Sequence, residues 1–231
     1  MKLALCLLTY NELTGCKNDI PKIQKFAKGF DEIFAIDGNS KDGTIKYLKS
    51  KLIPVYIQKQ KGLNAAYRDA VNICSADAII FFHPKGSIPV EDLLKFKKLF
   101  TRGFDLIVGS RVIKGAKNEE DNRLLKPRKW GMLVLSLLVA LKFRKRGPII
   151  WDVLHGFRGI TLKAYKSLGI QDSGSITIDI EMIVRSYKKG LHCIEFPTKE
   201  SPRLAGTSHF KTLPTGIKLI AYLLRELARK D

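Results

Sequence analysis

The sequence predicts an α/β fold with a mainly parallel central sheet flanked by helices. Short apolar runs of strand length alternate with longer amphipathic stretches through the first half of the chain, the pattern of βαβ units. Right-handed crossovers between such strands put helices on both faces of the sheet. Size and composition agree: 231 residues, 45% apolar and 27% charged, suit a globular protein that buries a proper core.

The first strand is predicted over 2–9 (KLALCLLT), with a helix after it over 20–28. A second strand, 32–37, leads to a helix over 44–50, where Asp42-Gly43-Thr44 sets a polar group beside the free N–H groups of the first turn. Strand 54–58, helix 63–74 and strand 78–82 follow, and then Pro89-Val90-Glu91-Asp92 opens a helix reaching residue 100. Its acidic first turn complements the helix dipole. Residues 105–108 make a fifth strand.

Beyond Arg111 the character changes. Residues 114–129 are polar and basic, 130–143 form an apolar helix, and "IIWDVLHGFRGIT" (149–161) is strand-like. A helix over 178–188, a strand over 191–196, a basic loop and a helix over 217–229 complete the chain. No repeat or low-complexity linker interrupts it, so one domain over 1–231 is expected.

A net charge of +19 favours anionic partners: nucleic acid, phosphorylated small molecules or an anionic membrane surface. Nucleic acid is set aside, because no helix-turn-helix, zinc-finger or RNA-recognition signature is visible. Cys6, Cys16, Cys74 and Cys193 form no C-x-x-C pair, and three lie in apolar runs. Buried reduced thiols in a cytosolic protein are therefore expected. "MKLALCLLTY" gives way at once to Asn11 and Glu12 without a cleavage site, which is not a signal peptide.

The helix over 130–143 would span about 21 Å, short of the roughly 30 Å hydrocarbon core, and is not expected to cross a bilayer. It gathers Trp130, Leu133, Val134, Leu137, Leu138 and Leu141 on one face, between Arg128 and Lys129 before and Lys142, Arg144, Lys145 and Arg146 after. The last helix repeats the pattern with Ile217, Ile220, Leu224 and Leu227 among Lys218, Arg225 and Arg229. Both suit interfacial helices on an anionic leaflet. Packing on the core or in a homo-oligomer interface is the competing expectation.

Six motifs occur in order: "LLTYNE", "AIDGNSKDGT", "KGLNAAYRDAV", "VGSR", "HGFRGIT" and "RLAGTSHF". Together they resemble the family 2 glycosyltransferases of GT-A (nucleotide-diphospho-sugar transferase) fold, particularly the branch of dolichol-phosphate mannose synthase and polyprenyl-phosphate glucosyltransferases. The resemblance runs from Leu7 to about Lys211. It implies an inverting enzyme that moves a sugar from a nucleotide-diphosphate sugar, often to a lipid phosphate such as polyprenyl or dolichyl phosphate. Residues 1–111 would then bind the nucleotide-sugar, and 112–231 would face the acceptor on the cytoplasmic side of a membrane. A soluble or glycan acceptor, or an inactive nucleotide-sugar-binding relative, stays open.

By the same resemblance Tyr10, Glu12 and Asp37 bind the nucleotide-sugar. Carboxylates at strand ends can accept hydrogen bonds from ribose hydroxyls or base N–H groups, although Asp37-Gly38-Asn39 is also good turn chemistry. Asp42 reads as a helix start. Arg111 and Arg203 match arginines at the donor phosphates, where a planar guanidinium fork is effective. His209 replaces the lysine usual in its motif. Asp152 matches an acidic position before "GFR", with general-base, orienting and purely structural roles all open. Because a phosphate acceptor is already anionic, positioning fits better than deprotonation. Arg158 would contact an acceptor phosphate or brace its loop, and Glu181 is a further acidic candidate or a brace.

The family usually ends its fourth strand with Asp-x-Asp, which holds Mg²⁺ or Mn²⁺ against the diphosphate. Here His83-Pro84-Lys85 stands in that place and both carboxylates are gone, with Ser87 where some relatives have another polar ligand. Either the Lys85 ammonium replaces the metal against the departing diphosphate, or the site has decayed. Retention of Glu12, Asp37, Arg111 and Arg203 favours replacement.

Overall fold

Inside the sheet lies β1 (Leu3–Thr9), buried along its whole length because β2 (Glu32–Asp37) and β4 (Ala78–Phe82) pair with it in parallel on either side. The computed structural model describes residues 1–121, 125–170, 177–205 and 212–229. With β3 (Val55–Ile57), β5 (Leu106–Ser110), β6 (Arg158–Thr161) and β7 (Cys193–Pro197), the strands form one seven-stranded sheet ordered β3-β2-β1-β4-β6-β5-β7.

The two-residue period of β1 feeds two cores. Leu3, Leu5 and Leu7 pack with Cys16, Ile20 and Ile23 of α1 (Leu13–Lys25) and with Leu93, Phe96 and Phe100 of α4 (Leu93–Thr101). Ala4, Cys6 and Leu8 join the opposite cluster, which takes side chains from α3 (Leu63–Ile73), α5 (Pro127–Phe143), α7 (Ile178–Lys189) and α8 (Thr212–Ala228). The shorter helices α2 (Thr44–Ser50) and α6 (Leu162–Ser167) complete the layers. Helices thus cover both faces, as the crossover rule requires. The cysteines are all buried and free, as their apolar settings predict.

Several boundaries differ from the sequence expectation. Helix α1 begins at Leu13, and Pro21 lies inside it rather than at its start. Its first turn is fastened from elsewhere: Glu12 N donates to Thr44 Oγ1 at 3.0 Å and Leu13 N to Asp42 Oδ2 at 3.0 Å. Of the strand-like stretch 149–161, only Arg158–Thr161 is a strand. Upstream of it, side chains take the backbone groups that a ladder would need. Ile150 N donates to Tyr187 Oη at 2.7 Å, Trp151 N to Glu195 Oε2 at 3.0 Å, and Ser136 Oγ to Trp151 O at 2.8 Å. The short α6 was not anticipated; Thr161 caps it by accepting from Ala164 N at 3.2 Å.

Strand β6 is antiparallel to both neighbours. Its amino end therefore shares an edge with the carboxyl ends of the other strands. At that edge the loop over 83–87 rests on α1. A Cβ built on Gly15 would fall on the Pro84 carbonyl and 2.7 Å from Lys85 Cα, so this helix position must lack a side chain. Gly131 in α5, by contrast, has nothing within 4 Å of such a Cβ.

Two glycine substitutions should separate in sign. Gly15→Ala is expected to destabilise by about 1–3 kcal/mol through overpacking against backbone, and Gly131→Ala to stabilise by about 0.5–1 kcal/mol. Urea denaturation midpoints read both. An unchanged midpoint for Gly15→Ala would mean that the loop does not sit tightly on α1.

Candidate active site

The loop over 83–87 is held from both sides. From below, Gly86 N donates to Asp19 Oδ2 at 2.8 Å, and Gly86 turns the chain at φ +69°, a left-handed conformation suited to glycine. From above, the segment after β7 crosses it: Ser201 N donates to Ser87 O at 2.8 Å and Leu204 N to Lys85 O at 3.3 Å. That segment is itself fixed by Lys117 N to Thr198 O, 3.0 Å, and Glu200 N to Lys117 O, 2.8 Å.

Beneath the crossing segment is a cavity of about 280 Å³. Lys85, Arg111 and Arg203 line it, with Arg128 and Lys129 of α5, and the carboxylates of Glu119, Glu120, Asp179 and Glu200 face the same space. Lys85 Nζ makes no hydrogen bond or ion pair with a described residue. Burial lowers its pKa, while the charges of Glu200 and Glu12 act in the opposite sense. His83 also lines the cavity; burial, then the Lys85 charge, holds its imidazole well below the usual range and keeps it neutral.

Arg111 and Asp152 form the most complete pair of the site. Asp152 is fully buried, and its Oδ2 accepts from the Arg111 backbone N (2.9 Å) and Nε (2.8 Å), its Oδ1 from Nη2 (2.8 Å). Burial raises the carboxyl pKa, but the guanidinium overrides it and holds Asp152 at about 2. The third arm of Arg111 donates to Glu200 at 3.1 Å. His155, behind them, donates from Nδ1 to the Gly109 carbonyl; burial and Arg111 hold its imidazole at about 4. Asp152 does not line the cavity. Its contacts hold Arg111 in place, not an acceptor oxygen.

The other sequence candidates fall into distinct places. Arg203 pairs with Glu12 across the edge of the site. Asp37 is fully buried, accepting from Thr9 Oγ1 (2.6 Å), Ser40 N (2.7 Å) and Ser40 Oγ (2.8 Å), so its oxygens shape the turn after β2. Tyr10 is exposed, with its ring against Gly38. None of Tyr10, Glu12 and Asp37 lines the cavity; they stand beside it, at the ends of β1 and β2. Arg158 is fully buried and spends its donors on the carbonyls of Val153, His155 and Asp179 and on the Asp179 carboxylate, 3.1 Å. Those bonds brace the loop. Glu181 pairs with Arg185 at 2.8 Å, also as a brace. His209 lies outside the described residues.

Sequence inspection passed over Asp179. It lines the cavity, accepts from Tyr67 Oη at 3.3 Å, and burial raises its carboxyl pKa despite Arg158. Helical phase was the available signal: Asp179 and Glu181 are about 200° apart around α7, so only one of them can face the site. Glu200 was hidden in a loop read as basic.

The residues at the end of β4 do not suit a hard divalent cation, which needs oxygen ligands. The loop offers an ammonium and a neutral imidazole, and no cluster of three His, Cys, Asp or Glu able to hold a metal occurs among the described residues.

The architecture is the GT-A glycosyltransferase fold. Glucosyl-3-phosphoglycerate synthase from Mycobacterium tuberculosis, solved with Mn²⁺, UDP and glucosyl-3-phosphoglycerate, superposes with a TM-score of 0.75 at 16% identity, covering 100% of this chain and 81% of that one. Residues 5–169 match the family described as "Glycosyl transferase family 2", and the chain belongs to that family. A dolichyl-phosphate hexose transferase of Haloferax volcanii is 24% identical over 208 residues, 89% of this chain and 85% of that protein. Glycosyltransferase AglJ of the same organism is 26% identical over 88% of this chain, and the dolichol-phosphate mannosyltransferase of Pyrococcus furiosus 26% over 91%. The chain spans only 65% and 60% of those two proteins' lengths.

Glu195 on β7 holds the peptide that carries Asp152, accepting from Trp151 N and Asp152 N at 3.0 and 3.3 Å. Burial raises its carboxyl from 4.5 to about 7. The folded state therefore prefers the protonated form; that contribution is complete below pH 4.5 and is lost as pH rises through 7. Glu195→Gln keeps an acceptor without the charge. It should raise the thermal midpoint by a few degrees at pH 8, with the gain vanishing towards pH 4.5, and a gain independent of pH would refute the assignment.

Proposed function

We propose that this chain transfers a sugar, with inversion, from a nucleotide-diphosphate sugar to a polyprenyl or dolichyl phosphate, with Lys85 in place of a metal at the diphosphate. The observation that carries it is one cavity with two kinds of wall. At the β4 end it holds the Lys85 ammonium, without a hydrogen-bond or ion-pair partner among the described residues. On the other side it is lined by Met132 of α5 and Leu219 of α8, helices that turn apolar rows outward. Trp130, Val134, Leu138 and Leu141 (73% exposed) form the row on α5, and Ile217 (68%), Ile220, Leu224 and Leu227 the row on α8.

In this mechanism an acceptor phosphate oxygen attacks the anomeric carbon from the face opposite the diphosphate. The bond from that carbon to the diphosphate oxygen breaks, and its electron pair leaves with the nucleotide diphosphate. Lys85 lies where that negative charge grows, and a fixed cation in a dry site stabilises developing charge most strongly. The acceptor is already an anion, so no base is needed. Asp152 acts through Arg111, keeping its guanidinium in place at the cavity wall.

The apolar rows of α5 and α8 would lie in the interfacial region of a membrane, their basic flanks against anionic headgroups. No helix among the described residues is long and apolar enough to cross a bilayer. The names of the relatives, two of which act on dolichyl or dolichol phosphate, support the acceptor class. A second reading, transfer to a sugar hydroxyl, is favoured by Asp179. A cavity-lining carboxylate of raised pKa suits a general base, which a hydroxyl acceptor needs and a phosphate does not.

Turnover of UDP- and GDP-sugars with dolichyl phosphate should persist in excess EDTA and fall about a hundredfold or more in Lys85→Ala. Loss in EDTA with recovery on adding Mn²⁺ would defeat the lysine-for-metal role. Turnover only with sugar acceptors would favour the second reading, and none with any donor a binding protein.

Vesicle co-sedimentation should increase with anionic lipid and drop in Leu138→Asp and Leu224→Asp. Binding indifferent to lipid charge and to both substitutions would remove the membrane from the proposal.

A further inference from the structure

Building on the role proposed for Lys85, we infer that Ser87 Oγ is a second hydrogen-bond donor to the nucleotide diphosphate, completing a metal-free cradle in the loop over 83–87. The loop is rigidly seated. Its backbone is fastened at Lys85 O, Gly86 N and Ser87 O, Gly15 presses against it from α1, and a Cβ on Gly86 would collide with the Leu204 side chain above. Every restraint acts on backbone or on packing. The Lys85 and Ser87 side-chain donors are left over. Lys85 Nζ has no hydrogen-bond or ion-pair partner among the described residues, and neither has Ser87 Oγ, although Ser87 is only 5% exposed.

An unsatisfied buried hydroxyl costs stability, and alanine in its place would cost nothing in bonds. Ser87 also lines the cavity that Lys85 lines. The chemistry that resolves both vacancies is a single anion with several oxygens. An ammonium supplies charge without direction, while a hydroxyl donates along one line, and a hydrogen bond to an ionised acceptor is roughly twice as strong as a neutral one. Ser87 keeps its proton throughout: it holds the diphosphate in register with Lys85 as the sugar departs, and it moves no charge.

Stability and affinity should respond in opposite senses. Calorimetric titration of UDP and of GDP into the full chain in EDTA, alongside ligand-free thermal melts, reads both. Ser87→Ala is expected to leave the melting temperature unchanged or raise it while weakening nucleoside-diphosphate binding about tenfold. Ser87→Cys, similar in size but a poor donor, should weaken binding comparably and guards against a packing artefact of the alanine. If the wild-type chain binds and both variants bind equally well, the Ser87 assignment fails while the role of Lys85 stands. Wild-type protein that binds neither nucleotide without a divalent cation overturns the Lys85 role, and the cradle with it.

Discussion

The site depends on the reversal of one short strand. Strand β6 runs antiparallel between β4 and β5, while the other strands share one direction. Open parallel sheets gather ligand-binding loops at their carboxyl edge. Inserting β6 backwards brings its amino end, with Arg158 and the loop before it, to the same edge. Arg111 after β5, the segment after β7 and the loop after β4 then converge on one cavity. Had β6 run parallel, its amino end and the 149–157 segment before it would lie across the sheet from Lys85.

The second theme is internal charge compensation. Arg111 has Asp152 and Glu200, Arg203 has Glu12, and Arg158 has Asp179 together with backbone carbonyls. Removing one member of such a buried pair leaves an uncompensated charge, so the pairs fix geometry more than they add net stability. Against this background the Lys85 ammonium stands out by chemistry rather than by burial. Its loop is fixed by backbone bonds, its neighbours are neutralised in pairs, and among the described residues its own charge is met only through space. The arrangement leaves room for an incoming anion without another cation to balance.

The outward rows of α5 and α8 follow from how those helices are anchored. Buried charges tie α8 to α7, with Glu226 near Arg185 and Lys188 at 3.8 and 3.3 Å. Leu219 and Tyr222 turn inward on the same side. Once that face is committed, Ile217, Ile220, Leu224 and Leu227 have to point away from the core. On α5, Met132, Ser136, Val139 and Ala140 take the buried positions, and the larger apolar side chains are left outside.

Much of this was legible in the one-dimensional pattern. Apolar runs of strand length located β1, β2 and β4, because strands buried over most of their length carry few polar residues to blur them. The ordered motifs located the edge at which Lys85, Arg111, Arg203 and Glu12 stand, since loops at strand ends follow directly from strand positions. Roles were less legible. Glu12 and Arg203 are 191 residues apart, and the start of α1 relies on Thr44 and Asp42, so local composition held no trace of either contact. The choice between Asp152, sealed behind Arg111, and Asp179, facing the cavity, required the direction of β6 and the rotational phase of α7. Local propensity and hydrophobic period specify where elements form. Which carboxylate meets the solvent of the site is set by long-range packing, and that exists only once the sheet has closed around it.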